Sequence, residues 1–133
     1  MNLIQKIKRK ILIFRVNRAL GIELFDWQIA HIFDDVPTPE ALDEYRITGK
    51  TTAAVLKVLL NPKYNNSIIG RENPDKYPCE SSPYYTTVVR IARIYGEDGV
   101  TLRRRRLFIE MLRDTRRTLK SARIKVNNLT IRY

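Results

Sequence analysis

With 25 lysines and arginines against 14 acidic residues, this 133-residue chain carries a net charge of +11 and has a pI near 10.1. A surface of that sign favours polyanionic partners, nucleic acid ahead of an anionic membrane. Cys79 is the only cysteine and His31 the only histidine, which excludes an intrachain disulfide and leaves a structural zinc site of the usual kind short of ligands.

Hydrophobic residues make up 44% of the chain and glycines number five, a composition that folds, and the length suits a single domain spanning 1–133. The apolar run Ile11-Leu12-Ile13-Phe14 is far short of the ~20 residues that span a bilayer. Arg15 and Arg18 interrupt what would otherwise resemble a signal-peptide core. The expectation is a protein of a reducing, cytoplasmic setting (the host cytoplasm if viral) with no transmembrane segment.

Residues 3–19 predict a basic amphipathic helix. Ile4, Ile7, Ile11 and Phe14 recur at helical spacing among Lys6, Lys8, Arg9, Lys10, Arg15 and Arg18, and Gly21 supplies a C-cap. A core-facing helix with a solvated basic side leads, ahead of a nucleic-acid arm, and membrane-surface binding comes third. A second helix is predicted over 26–34, with Asp26 as N-cap and Val36-Pro37-Thr38-Pro39 as terminator. His31 lies among its apolar residues and reads as a packed histidine rather than a general base, with Asp34 and Asp35 the candidate orienting carboxylates.

The segment from Tyr45 to Leu56 is the most informative. Its triplet Gly49-Lys50-Thr51, followed by Thr52, opens an apolar run of helical character. Phosphate-binding loops use this arrangement: amides at a helix N-terminus attract anions, the lysine reaches the β/γ-phosphates and the threonine hydroxyl ligates Mg²⁺. The plainer reading is an ordinary helix start with Thr48 as N-cap. Residues 61–84, with Pro62, Pro74, Pro78 and Pro83, read as a long loop containing a short apolar piece, Ile68-Ile69. Residues 86–95 suit a strand by β-branched content and a helix by the spacing of Val88, Ile91 and Tyr95; Gly96-Glu97-Asp98-Gly99 closes them as a turn.

A long helix is predicted over 101–121, its apolar stripe formed by Phe108, Met111, Leu112, Thr115 and Leu119. Arg106, Arg113, Arg117 and Lys120 fall within about 60° of one another on a different side, a row spaced to follow a phosphate backbone. Arg103, Arg104 and Arg105 join Arg106 near the N-terminal end, where the macrodipole disfavours cations, so the run suits a nucleic-acid partner better than helix stability. A solvated helix face is the alternative. The tail predicts strands Ile124-Lys125-Val126 and Leu129-Thr130-Ile131 turning at Asn127-Asn128.

Arg46-Ile47-Thr48-Gly49-Lys50-Thr51-Thr52 resembles the arginine-led, glycine-poor loop of viral large terminase subunits, the ATP-driven motors that package DNA. Phe25-Asp26-Trp27-Gln28 is similar to the upstream glutamine element of terminases and related helicases. The resemblance covers 22–60, and 100–133 more loosely. It implies ATP with Mg²⁺ as cofactor: Gln28 selecting adenine, Arg46 approaching the phosphates, Lys50 neutralising them, Gly49 and Thr52 lining the loop and Thr51 holding the metal through the nucleotide.

Glu44 stands where the full phosphate-loop pattern has a glycine, and Ala41-Leu42-Asp43-Glu44-Tyr45 is polar for the buried strand that usually precedes such a loop. No apolar run ending in Asp-Glu follows it; the nearest match, Ile29 to Asp35, precedes the loop and reads as helix. The expectation is therefore an α/β, helix-rich single domain, a truncated P-loop-like three-layer arrangement with a short C-terminal hairpin, which binds nucleotide without hydrolysing it alone. Nucleic acid, DNA first, and a second protein chain are the expected partners. The alternative is a small basic binding protein without enzymatic activity, of the kind a phage encodes against a host nucleic-acid-bound complex, gripping through its arginine helix.

Overall fold

Helix α1, Leu3–Leu20, begins at a reciprocal cap: Asn2 Oδ1 accepts from the Gln5 N–H at 2.8 Å, and the Asn2 N–H donates to Gln5 Oε1 at 3.1 Å. Gly21, at φ 65°, ends it in the left-handed conformation. The computed structural model describes residues 1–37, 49–70 and 99–132, with the side chains of 50, 68–70, 99–108 and 132 outside that description. Expectations placed on Arg46, on the 71–84 part of the long loop, on 86–95 and on the turn at 96–98 lie outside the described residues.

Three further helices follow: α2, Asp26–Asp34, α3, Lys50–Leu60, and α4, Gly99–Ser121. Helix α3 is the centre of the fold. Every residue from Ala53 to Leu60 is buried, as expected of a helix apolar all round that packs against α2 on one side and α4 on another. One hydrophobic cluster draws on all four helices through Val16, Ile32, Leu56, Leu59, Ile109, Leu112 and Leu119, and Leu129 near the C-terminus joins it.

The small helix-rich architecture matches expectation; the C-terminal hairpin does not. Strand β1, Ser67–Gly70, pairs in parallel with β2, Leu129–Arg132, Ser67 lying opposite Leu129 and Gly70 opposite Arg132. Parallel strands need a long crossover, and the connection here contains α4. Residues 124–126 form no strand. The reason lies in Asn127 and Asn128, whose polar groups are spent elsewhere. Asn127 donates its N–H to Leu59 C=O at 2.8 Å and its Nδ2 to Val58 C=O at 2.9 Å and to Asn61 C=O, closing the C-terminus of α3. Asn128 bonds Asn65 and Asn66 through backbone and side chain. The chain is held straight there instead of turning back.

Two apolar stripes also fall differently. In α4 Leu112 and Leu119 of the expected stripe are fully buried and Thr115 is half-buried, but among the described side chains Ile109 takes the buried place expected of Met111, which is 38% exposed. The buried seam continues through half-buried Arg116, whose guanidinium donates to Leu129 C=O at 3.2 Å. In α1, Ile4, Ile7, Ile11 and Phe14 are exposed, and Val16 with Leu12, Ile13, Ala19 and Leu20 faces the core instead. Helix α1 is apolar on two opposite sides, and two arginines select between them. Arg9 forms a two-point bridge to Asp34, at 3.0 and 2.9 Å, with its guanidinium 5.1 Å from the Phe33 ring centre. Arg15 donates to the carbonyls of Ala122 and Arg123 just past α4, where the dipole favours a cation. Within the 61–84 segment, residues 61–70 form a 3₁₀ turn, Pro62–Tyr64, and β1 rather than open loop.

A candidate phosphate-binding helix terminus and basic face

Gln28 and Gly49, 21 positions apart, are in direct contact. Gln28 Nε2 donates to Gly49 C=O at 3.0 Å, and Gln28 Oε1 accepts from the Phe25 N–H at 2.8 Å. Asp26 is therefore the first residue of α2 and not its cap; the side chain that caps the helix start is Gln28 reaching back to Phe25. Gln28 is buried to 4% exposure, so its carboxamide acts as a brace between two backbone segments. Selecting adenine would require that carboxamide to leave Gly49.

Gly49 precedes α3 with φ 76°, in the left-handed region. A Cβ there would also collide with Gln28 Nε2, so the backbone requires glycine and the Gln28 bond as it stands leaves no room for a side chain. The first bond of α3 runs from the Ala53 N–H to Gly49 C=O at 2.9 Å. The amides of residues 50–52 precede that bond and have no acceptor within the helix, which is the arrangement that attracts an anion. Thr51 and Thr52 are half-buried at this end. The Lys50 side chain and Arg46 lie outside the described residues.

A polar knot secures the other end of α3. Lys57, the one cation in the buried stretch of this helix from Ala53 to Leu60, is buried to 4% exposure and reaches Asp35 Oδ1 at 3.0 Å, where Lys63 also arrives at 2.7 Å. These partners, Lys63 foremost, hold the Asp35 carboxyl below its ordinary range. Asn61 Nδ2 donates to Ile32 C=O at 2.9 Å, binding α2 to α3. His31 Nδ1 lies 2.9 Å from Val36 C=O, and burial pushes its pKa below 6.5, against the pull of that carbonyl. Asp34 and Asp35 are committed to Arg9 and to the two lysines. The arrangement suits a packed, neutral histidine. Sequence reading missed Lys57, Asn61 and Asn127; the signal for Lys57 was a lone cation inside Val55-Leu56-Lys57-Val58-Leu59, which must find a buried partner.

On α4, Arg113, Arg117 and Lys120 are exposed, as the cation row requires. Exposed Glu110 falls about 20° beyond that arc at about 100° per residue and borders the row with one anion. The side chains of Arg103, Arg104, Arg105 and Arg106 lie outside the described ones. Among the described residues no cluster of three His, Cys, Asp or Glu side chains forms a metal site, and no helix is long and apolar enough to cross a membrane. No family model, curated protein or solved structure matches the chain.

Proposed function

We propose that this protein binds a nucleoside triphosphate at the N-terminus of α3 and works in association with nucleic acid, without hydrolysing the nucleotide unaided. The supporting observation is the hydrogen bond from Gln28 to Gly49, which joins the two segments that resemble motor-ATPase elements. The amides of residues 50–52, Lys50 and Arg46 would hold the phosphates, with Mg²⁺ shared between Thr51 and the nucleotide, and the metal would neutralise phosphate charge there. The parallel β1–α4–β2 unit fits a reduced P-loop-like α/β arrangement. The sequence offers no apolar run ending in Asp-Glu after the loop to position water, and Asp34 and Asp35, which end the nearest match before it, are already paired.

Titration calorimetry with ATP and Mg²⁺ tests the site. Lys50→Ala is expected to weaken binding at least about tenfold, the loss of roughly one charge-assisted contact. Equal affinity in wild type and variant would sink the assignment. Repeating the titration with DNA present reports whether the two ligands are coupled.

The exposed Arg113, Arg117 and Lys120 favour a second reading, a basic binding protein that needs no nucleotide. Changing Arg106, Arg113 and Arg117 to glutamine should weaken DNA binding uniformly across sequences, because phosphate contacts carry little base information. Wild-type affinity should fall steeply between ~50 and ~200 mM salt, and less steeply in the triple variant. A salt-independent affinity would count against the arginine face.

A further inference from the structure

We infer that the outward face of α1 docks onto an anionic lipid surface. Leu3, Ile4, Ile7, Ile11 and Phe14 line that face, and their exposure runs from 49% at Ile7 to 72% at Leu3. A contiguous apolar stripe left in water marks an interaction site. The stripe lies opposite the Leu12–Val16 side that packs into the core, and residues 1–8 are exposed on all sides, so a flat surface can approach the helix along its length.

Charge identifies the occupant. Helix α1 carries six cations, Lys6, Lys8, Arg9, Lys10, Arg15 and Arg18, and no acidic residue. Arg9 and Arg15 are engaged inside the fold. Lys6, Lys8, Lys10 and Arg18 are exposed and pair with no described residue. At about 100° per residue, Lys8 flanks the stripe on one side and Lys6 and Lys10 on the other, with Arg18 at its end. Lysine stems lie along apolar surface while the ammonium groups reach phosphate level, the pattern of an interfacial helix on anionic lipid.

Other occupants fit less well. A second copy would bring its own six cations against these. A nucleic-acid backbone would meet the charges and leave the isoleucines and Phe14 in water.

Flotation of the full chain with vesicles tests the inference. Wild type is expected to float with vesicles of phosphatidylglycerol and phosphatidylcholine and to stay behind with phosphatidylcholine alone. Ile7→Ser with Phe14→Ser, which keeps every charge, should cut flotation at least about tenfold, the loss of two buried apolar side chains, at an unchanged melting temperature. Lys6, Lys8 and Lys10 changed together to glutamine should lose it as well. The inference fails if wild type floats with neither vesicle, or if the serine pair floats as wild type does, which would place binding on the other basic surfaces. It fails equally if the serine pair lowers the melting temperature or abolishes self-association, since the chain itself or a second copy would then cover the face. Binding of an acidic amphipathic peptide without vesicle flotation overturns it too.

Discussion

Leu56→Ala is expected to lower folding stability by about 2–5 kcal/mol. Leu56 is fully buried in the helix that packs against both α2 and α4. Truncation there removes apolar contact and leaves a cavity between packed helices, where neighbours tethered at both ends relax little. Domains of this size have about 5–15 kcal/mol in total, so the variant would sit near the limit of remaining folded. Denaturant titration should show a lower midpoint at an unchanged slope. Ile11→Ala is the control: its side chain is 54% exposed, and its cost should stay within about 0.5 kcal/mol. Equal losses in the two variants would mean that α3 is not the centre of the core.

Gly49→Ala is expected to cost about 2–5 kcal/mol, from two sources that can be separated. The left-handed backbone at φ 76° penalises any Cβ by about 1–2 kcal/mol. The added methyl group would also meet Gln28 Nε2 and break its bond to Gly49 C=O, leaving buried polar groups short of partners, for a further 1–3 kcal/mol or about that. Gln28→Ala removes the obstructing amide, so in that background Gly49→Ala should cost only the backbone part. A double-mutant cycle on denaturation free energies measures the difference. If Gly49→Ala costs the same in both backgrounds, the Gln28 brace does not hold this helix start, and the observation behind the nucleotide site goes with it.

Local signals made the helices legible. Gly21 stops α1 where expected, Pro37 follows the end of α2, and Gly49-Lys50-Thr51 opens α3. Each depends on backbone chemistry within a few residues, which needs no knowledge of the rest of the chain. The contact between Gln28 and Gly49 was legible only through a resemblance, and its form was not: the carboxamide grips backbone at both ends. Stripe positions were less readable. In α4 the choice between Met111 and Ile109 turned on Arg116 finding a carbonyl on the chain that follows, a partner 13 residues away.

By itself the amino-acid order determined the strong positive charge, the helical segments and their ends, because these follow from composition and short-range hydrogen bonding. Only the tertiary structure decided which side of α1 is buried, since both sides are apolar and the choice fell to Arg9 and Arg15 meeting partners on α2 and beyond α4. It likewise turned an anticipated hairpin into a parallel pair. Asn127 and Asn128 can serve a tight turn or distant carbonyls, and the end of α3 and the Asn65–Asn66 turn supplied those distant partners.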